Sequence, residues 1–515
     1  MVETLERAAE EAAAGELLLA RARCEGWHAG ATPDSENPSD FYKNTANYAA
    51  VEASLGNLAR AQQLWELIPI SHRTAAVRRN LQVIQGGNEP DVSGTDRPQR
   101  IAILSLLFNW PSTGGGTVHT KELAANFSSR GYEVLQIYTV YQPWGIGRVS
   151  EPLNYPSQSL PFSSCEWNEQ TIRERYRQAL REFQPDWVIV TDSWSSKPLL
   201  VEAAEGYRTL IRIAAQESIC PLNNVRLLVN GYGTVQQCDR CQLADPEECQ
   251  RCVGKSGATL SGPLHQAERE LCGFGTAEYA DRLRRAFAQV EGVLVVNPSI
   301  AELVRPHTKS VSVIPSGFDP QRFAVEVPPP PSAGRKLRIL FAGLMQEFMK
   351  GFHVLREAGR QLWSRRQDFE VWATGEVDGL SEPWLKCLGW QSQEELPDRI
   401  RECDLLVFPT VAQEALGRTA VEAMACGRPV VASRIGGLQW VVEENITGLL
   451  AVPGDPQDLA AKIEQLLDDA PRREQLGIAG REKFLREFTW NAVYERHYRP
   501  LLGVPVLPTC LSGCP

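Results

Sequence analysis

From residue 99 onward, short apolar runs alternate with longer amphipathic stretches. Residues 100–110 (RIAILSLLFNW), 132–140 (YEVLQIYTV), 186–192 (DWVIVTD) and 292–298 (GVLVVNP) are apolar, bounded by turn residues, and predict buried strands. Helical patterns lie between them, beginning with a glycine loop and helix at 112–131 (STGGGTVHTKELAANFSSRG). After the proline-rich connector 327–334 (VPPPPSAG) the alternation restarts: LRILFAG, FEVWATG, DLLVFPT, PVVAS and GLLAV, each separated by helical pattern. Strands alternating with helices imply parallel sheets with crossover helices. The class expected is α/β: two Rossmann-like domains, 99–320 and 336–480, facing a cleft, with a C-terminal helix at 481–502 crossing back to the first domain.

Residues 1–90 read differently, as helix throughout. In 44–69, Ala49, Gly56, Ala61, Trp65 and Pro69 fall where a tetratricopeptide repeat puts its small, turn and bulky residues. One repeat is visible where a stable array needs about three, so a plain helical hairpin is an equal reading. A protein partner bound through these helices is the corresponding expectation. The segment 86–98 (GGNEPDVSGTDRP) is a linker by composition.

Composition narrows the class. A net charge of −10 over 515 residues argues against a general nucleic-acid binder. No apolar run reaches the roughly 20 residues that span a bilayer, and the acidic, helix-patterned start is not a secretory signal. A cytoplasmic protein, able to touch a membrane peripherally, is expected. The 13 cysteines, an odd number without a signal, do not form a disulfide framework.

The richest chemistry lies in 409–433 (PTVAQEALGRTAVEAMACGRPVVAS). Glu414 and Glu422 have seven residues between them, and Leu416-Gly417 opens an Ala-rich helix. Glu414 then sits in a loop, and Glu422 about two turns away inside the helix. Free N–H groups at the helix start, with its dipole, suit an anion. Two flanking carboxylates suit hydroxyls on either side of a diphosphate; the plainer alternative is an αβ unit with two solvated glutamates.

Four elements in collinear order, across roughly 99–500, resemble the family 4 glycosyltransferases, retaining enzymes of the GT-B fold. They are the loop Gly114-Gly115-Gly116 after the first strand, IPSGFDPQRF at 314–323, the Gly-x6-Lys-Gly element at 343–351, and the Glu-x7-Glu helix. The resemblance implies transfer of a sugar from a nucleotide-diphosphate sugar to an acceptor (saccharide, lipid, protein or small metabolite), with retention and without a catalytic metal. It further implies roles by residue. Glu422 would bind the ribose, and Glu414 the donor sugar. Leu416, Gly417 and Arg418 would hold the sugar and β-phosphate, Lys350 the diphosphate, and Gly114, Gly115 and Gly116 the same phosphates from across the cleft. Two positions depart from the pattern: Leu344 stands where an arginine is usual, and Thr191, followed by Asp192, near where a histidine is common. These departures keep two alternatives open: a non-catalytic scaffold on a degenerate transferase body, or another GT-B enzyme such as a sugar-nucleotide epimerase.

An insertion at about 217–265 carries Cys238-x2-Cys241-x7-Cys249-x2-Cys252. Paired knuckles of this spacing predict a closed, four-thiolate structural zinc site; a redox pair or an iron–sulfur centre are the alternatives. Gln216, Glu217 and Asn223 to Arg226, polar residues after an apolar strand, are expected acceptor contacts, with a solvated loop as the alternative.

Overall fold

The computed structural model describes residues 98–112, 114–191, 195–223, 226–229, 235–260, 262–323, 335–376 and 379–503, with short pieces between 41 and 69. The first sheet is built from β1 (Arg100–Ser105), β2 (Glu133–Val140), β3 (Ser157–Pro161), β4 (Trp187–Thr191), β5 (Arg208–Ile213), β8 (Gly292–Val295) and β9 (Val311–Val313), with the antiparallel hairpin β6 (Leu227–Val229)–β7 (Val235–Gln237) inserted between β5 and β8. Its order is β3-β2-β1-β4-β5-β8-β9, and every pairing in it is parallel. The second sheet comprises β10 (Leu337–Phe341), β11 (Phe369–Ala373), β12 (Leu385–Cys387), β13 (Leu405–Phe408), β14 (Val430–Ser433) and β15 (Gly448–Ala451). Its order is β12-β11-β10-β13-β14-β15, again parallel.

The central strands are apolar on both sides because helices cover both faces. Every residue of β4, β8, β13, β14 and β15 is buried. One core forms around the first sheet, with Val190, Ile211 and Phe287 fully buried, and a second around Val371, Leu405 and Leu355.

Both sheets reverse their winding at one place. β1 lies between β2 and β4, and β10 between β11 and β13. In doubly wound sheets the ligand crevice opens at the carboxyl ends of strands flanking such a reversal. Those ends lead into the glycine loop and helix α1 (Gly115–Ser129) after β1, Thr191 at the end of β4, the 343–351 segment after β10, and 409–417 after β13.

Residues 98–481 form one compact unit that contains both sheets, and 1–97 with 482–515 form another. In the latter, helix Leu58–Glu66 buries Ala61, Leu64 and Trp65 against Tyr48 and Ala49. Gly56 with the rest of 53–57, and the linker 86–97, lie outside the described residues, as does the proline connector 327–334.

Candidate functional site

Gly417 has φ +82°, a left-handed conformation that L side chains resist, and it is the N-cap of helix α5 (Arg418–Ala425). That turn frees the loop Gln413–Leu416 to run back beneath the crevice. Two of its carbonyls are engaged. Glu414 O accepts from Gly437 N at 2.7 Å, and Ala415 O accepts from Asn297 Nδ2 at 2.6 Å. A Cβ at Gly436 would overlap the Glu414 backbone, and one at Gly437 the Ala415 carbonyl. The opposite, N–H side is open: among the described residues, Leu416 and Gly417 N–H donate to nothing.

Lys350 and Glu414 meet in this loop, Nζ to Oε1 at 3.1 Å, with their side chains 29% and 17% exposed. Burial alone would lower the Lys350 pKa, but the Glu414 carboxylate outweighs it and the net shift is upward, so the ammonium is retained at neutral pH. Leu344 stands nearby in sequence as an exposed apolar side chain.

The first sheet contributes the facing wall. α1 starts at Gly115, and a methyl group there would stand 3.3 Å from Arg418 Cδ, so glycine loop and α5 touch. The Arg418 guanidinium lies over the Phe318 ring at 4.4 Å. It also reaches Glu122 Oε2 at 3.4 Å, while Arg322 Nη1 stands 3.7 Å from the other oxygen of the same carboxylate. Glu422, one turn along α5 from Arg418, is pushed up by burial, with Arg418 and Arg322 pulling the other way and Glu122 adding to the rise.

Thr191 Oγ1 is buried in a hydrogen bond with Thr120 Oγ1 at 3.1 Å, and Asp192 lies outside the described residues. His119 is buried in α1; burial first, then Arg212 and Arg418, hold its pKa well below the usual value, which keeps it neutral.

Four participants escaped the sequence reading. Asn297 was legible only as a helix cap, and Glu122 as a surface residue of an amphipathic helix. Phe318 and Arg322 belong to the 314–323 segment, which reads as a structural turn.

Among the described residues, no group of three or more His, Cys, Asp or Glu side chains is placed to hold a metal ion, so the structure lends no support to the zinc site expected at Cys238, Cys241, Cys249 and Cys252. Cys241 turns into the first core, 3% exposed, whereas Cys249 and Cys252 stand one turn apart on helix Pro246–Leu260. Burial and then the neighbouring sulfurs push Cys249 up to about 12, and burial likewise raises Cys241 and Cys252. The expected acceptor contacts are also absorbed by the fold. Glu217 accepts from Ala214 N and Ala215 N at 2.7 and 2.6 Å and pairs with buried Lys197 at 3.3 Å. Asn223 brackets Leu227 through both its amide atoms, Arg226 donates to Arg240 O, and Gln216 is buried. The insertion instead leans on the second sheet. Leu227 joins its core, and Gln237 Oε1 accepts from Gln413 Nε2 at 2.8 Å, next to Glu414.

The chain is similar to known proteins. Residues 336–469 match the family model described as "Glycosyl transferases group 1". An uncharacterized glycosyltransferase of Methanocaldococcus jannaschii, MJ1178, is 41% identical over 107 residues, 21% of this chain and 30% of that protein. D-inositol 3-phosphate glycosyltransferase of an Arthrobacter species is 35% identical, over 34% of this chain and 44% of that protein. The chain therefore spans less than half the length of these curated relatives. Among solved structures, sucrose-phosphate synthase of Thermosynechococcus elongatus superposes with a TM-score of 0.55 at 18% identity, covering 79% of this chain and all of that one. HepE of Anabaena in complex with UDP-glucose superposes at 0.52 and 16% identity, covering 78% and 99%. Residues 336–469 are a glycosyl transferases group 1 domain, set in a chain of GT-B fold.

Proposed function

We propose that this protein is a retaining glycosyltransferase that takes a nucleotide-diphosphate sugar as donor and works in the cytoplasm. The observation that carries the reading is the meeting of α5 with the glycine loop, beside the Lys350–Glu414 pair on the loop that precedes α5, at the reversal points of both sheets. The relative named a D-inositol 3-phosphate glycosyltransferase and the neighbour solved with UDP-glucose support a nucleotide-sugar donor.

In this reading Glu422 accepts hydrogen bonds from the ribose hydroxyls and Glu414 from the sugar. The open N–H groups of Leu416 and Gly417, with the dipole of α5, hold the β-phosphate. Arg418 lines the wall beside them, and Gly114, Gly115 and Gly116 let the first domain's backbone close on the phosphates from the other side. Lys350 shifts part of its pairing from Glu414 to the diphosphate as negative charge builds on the leaving oxygen, which is where a preorganised cation lowers the barrier. The bond from anomeric carbon to diphosphate oxygen breaks while the acceptor oxygen bonds to the same face of that carbon, and the acceptor proton passes to the departing diphosphate. No side-chain base is required, which accommodates a buried Thr191 and a neutral His119. The acceptor class stays as wide as saccharide, lipid, protein or small metabolite.

The test is a thermal-shift panel of UDP-, GDP-, ADP- and dTDP-sugars on wild type and Lys350→Ala, followed by product analysis with the stabilising donor. The reading expects one base to stabilise the wild type, with transfer or donor hydrolysis lost in the variant. Stabilisation without any turnover would favour the scaffold reading, to which Leu344 in place of a cation already lends weight.

A further inference from the structure

The loop that presents the two open N–H groups belongs to the second domain, yet one of its holding hydrogen bonds comes from the first. Asn297 is completely buried and serves two partners at once. Its Oδ1 accepts from Ile300 N at 3.0 Å, capping helix Pro298–Val304, and its Nδ2 donates to Ala415 O at 2.6 Å. The cap fixes which way the amide faces, so the NH2 can only point at the neighbouring domain. Ser, Thr or Asp would cap this helix about equally well. Only an amide offers both the acceptor for the cap and a donor beyond it, so the choice of Asn is accounted for by the cross-domain bond.

What that bond touches matters. In a trans peptide the carbonyl and the following N–H point in opposite directions from one plane. A hydrogen bond to Ala415 O therefore fixes the direction of Leu416 N–H and, by polarising the peptide, strengthens it as a donor. The Gly436-Gly437 turn secures the loop on its far side, where there is no room for a Cβ. Ala415 itself packs against the first domain's core. The loop is thus gripped from both domains, and only its N–H side is left for a ligand.

We propose that Asn297 is a positioning residue for the donor's β-phosphate: from the first domain it aims and polarises the Leu416 N–H of the second. The inference rests on the donor-site reading above. It adds that affinity for the diphosphate depends on a residue outside the glycosyl transferases group 1 domain.

The experiment is titration calorimetry on the full chain with UDP, GDP, ADP and dTDP, and with the monophosphate of whichever base binds. It compares wild type, Asn297→Ser and Asn297→Asp, with melting temperatures taken alongside. Both variants keep a capping oxygen, so both should fold; Asn297→Asp, whose second oxygen would face the Ala415 carbonyl, should melt lower than Asn297→Ser. The diphosphate should bind about tenfold more weakly to each, as expected for roughly one lost charge-assisted contact. The monophosphate should change by no more than about twofold, since it does not reach the Leu416 N–H. Unchanged diphosphate affinity in either folded variant overturns the inference, and so does an equal loss for mono- and diphosphate, which would mark a merely structural role. Wild type binding none of the four diphosphates would instead overturn the donor-site reading, and the inference with it.

Discussion

The loop after β13 and the insertion after β5 were both singled out by residue spacing, and the fold treats them in opposite ways. In the insertion, polar groups are consumed. The Glu217 carboxylate takes two backbone N–H groups and the Lys197 ammonium, and Asn223 closes on Leu227 with both ends of its amide. In the donor loop the backbone is satisfied on one side only. Glu414 O and Ala415 O are bound, the N–H groups beyond them are open, and Lys350 and Glu414 pair while still part-exposed. Saturation on all sides marks a structural polar group; one-sided saturation, with a partner that can be exchanged, marks a place for a ligand.

The largest effect that can break this contrast is on the saturated side. Glu217→Ala removes the carboxylate beside fully buried Lys197. It should cost about 3–5 kcal/mol in denaturant unfolding, the range for breaking a buried pair, with nucleotide affinity at low temperature unchanged. A mild cost, or a selective loss of donor binding, would make Glu217 part of the site after all. Gly437→Ala comes next, because its Cβ overlaps the Ala415 carbonyl. A loss of about 2 kcal/mol, the scale of a steric overlap and opposite in sign to Ala in a compatible turn, should come with loss of nucleotide binding, since the loop must move. Full binding in that variant would show that the grip on the carbonyl side is dispensable.

The smallest effect concerns Glu422 and has a definite sign. Burial raises its carboxyl pKa, so the native state holds that proton more tightly than the unfolded chain does. The ionised side chain then costs stability above the folded pKa and costs nothing below the unfolded one. Glu422→Gln should raise the melting temperature at pH 7, by the equivalent of about 1 kcal/mol or less, and leave it unchanged near pH 4. A lower melting temperature at pH 7 would mean that the Arg418 and Arg322 attractions outweigh burial.

Most of the fold could be read in the chain because strands buried on both faces leave uninterrupted apolar runs such as Trp187–Thr191 and Leu405–Phe408. The side of the site proposed for the donor could be read as one unit for a related reason: Glu414, Gly417 and Glu422 lie on one continuous loop and helix, where spacing fixes geometry. The facing wall was not. Glu122, Phe318, Arg322 and Asn297 come from separated segments, and nothing local in any of them points to the others. The cysteine spacing constrains only chain distance, and among the described residues the structure lends the expected zinc site no support.

The central claim is that Glu422 and its loop bind a nucleoside diphosphate. Titration calorimetry of UDP, GDP, ADP and dTDP into wild type and Glu422→Ala tests it most directly. The account predicts saturable binding of one diphosphate by the wild type, weakened at least about tenfold in the folded variant by loss of the ribose contact. Equal affinity in the two proteins, or no binding by the wild type, would contradict it.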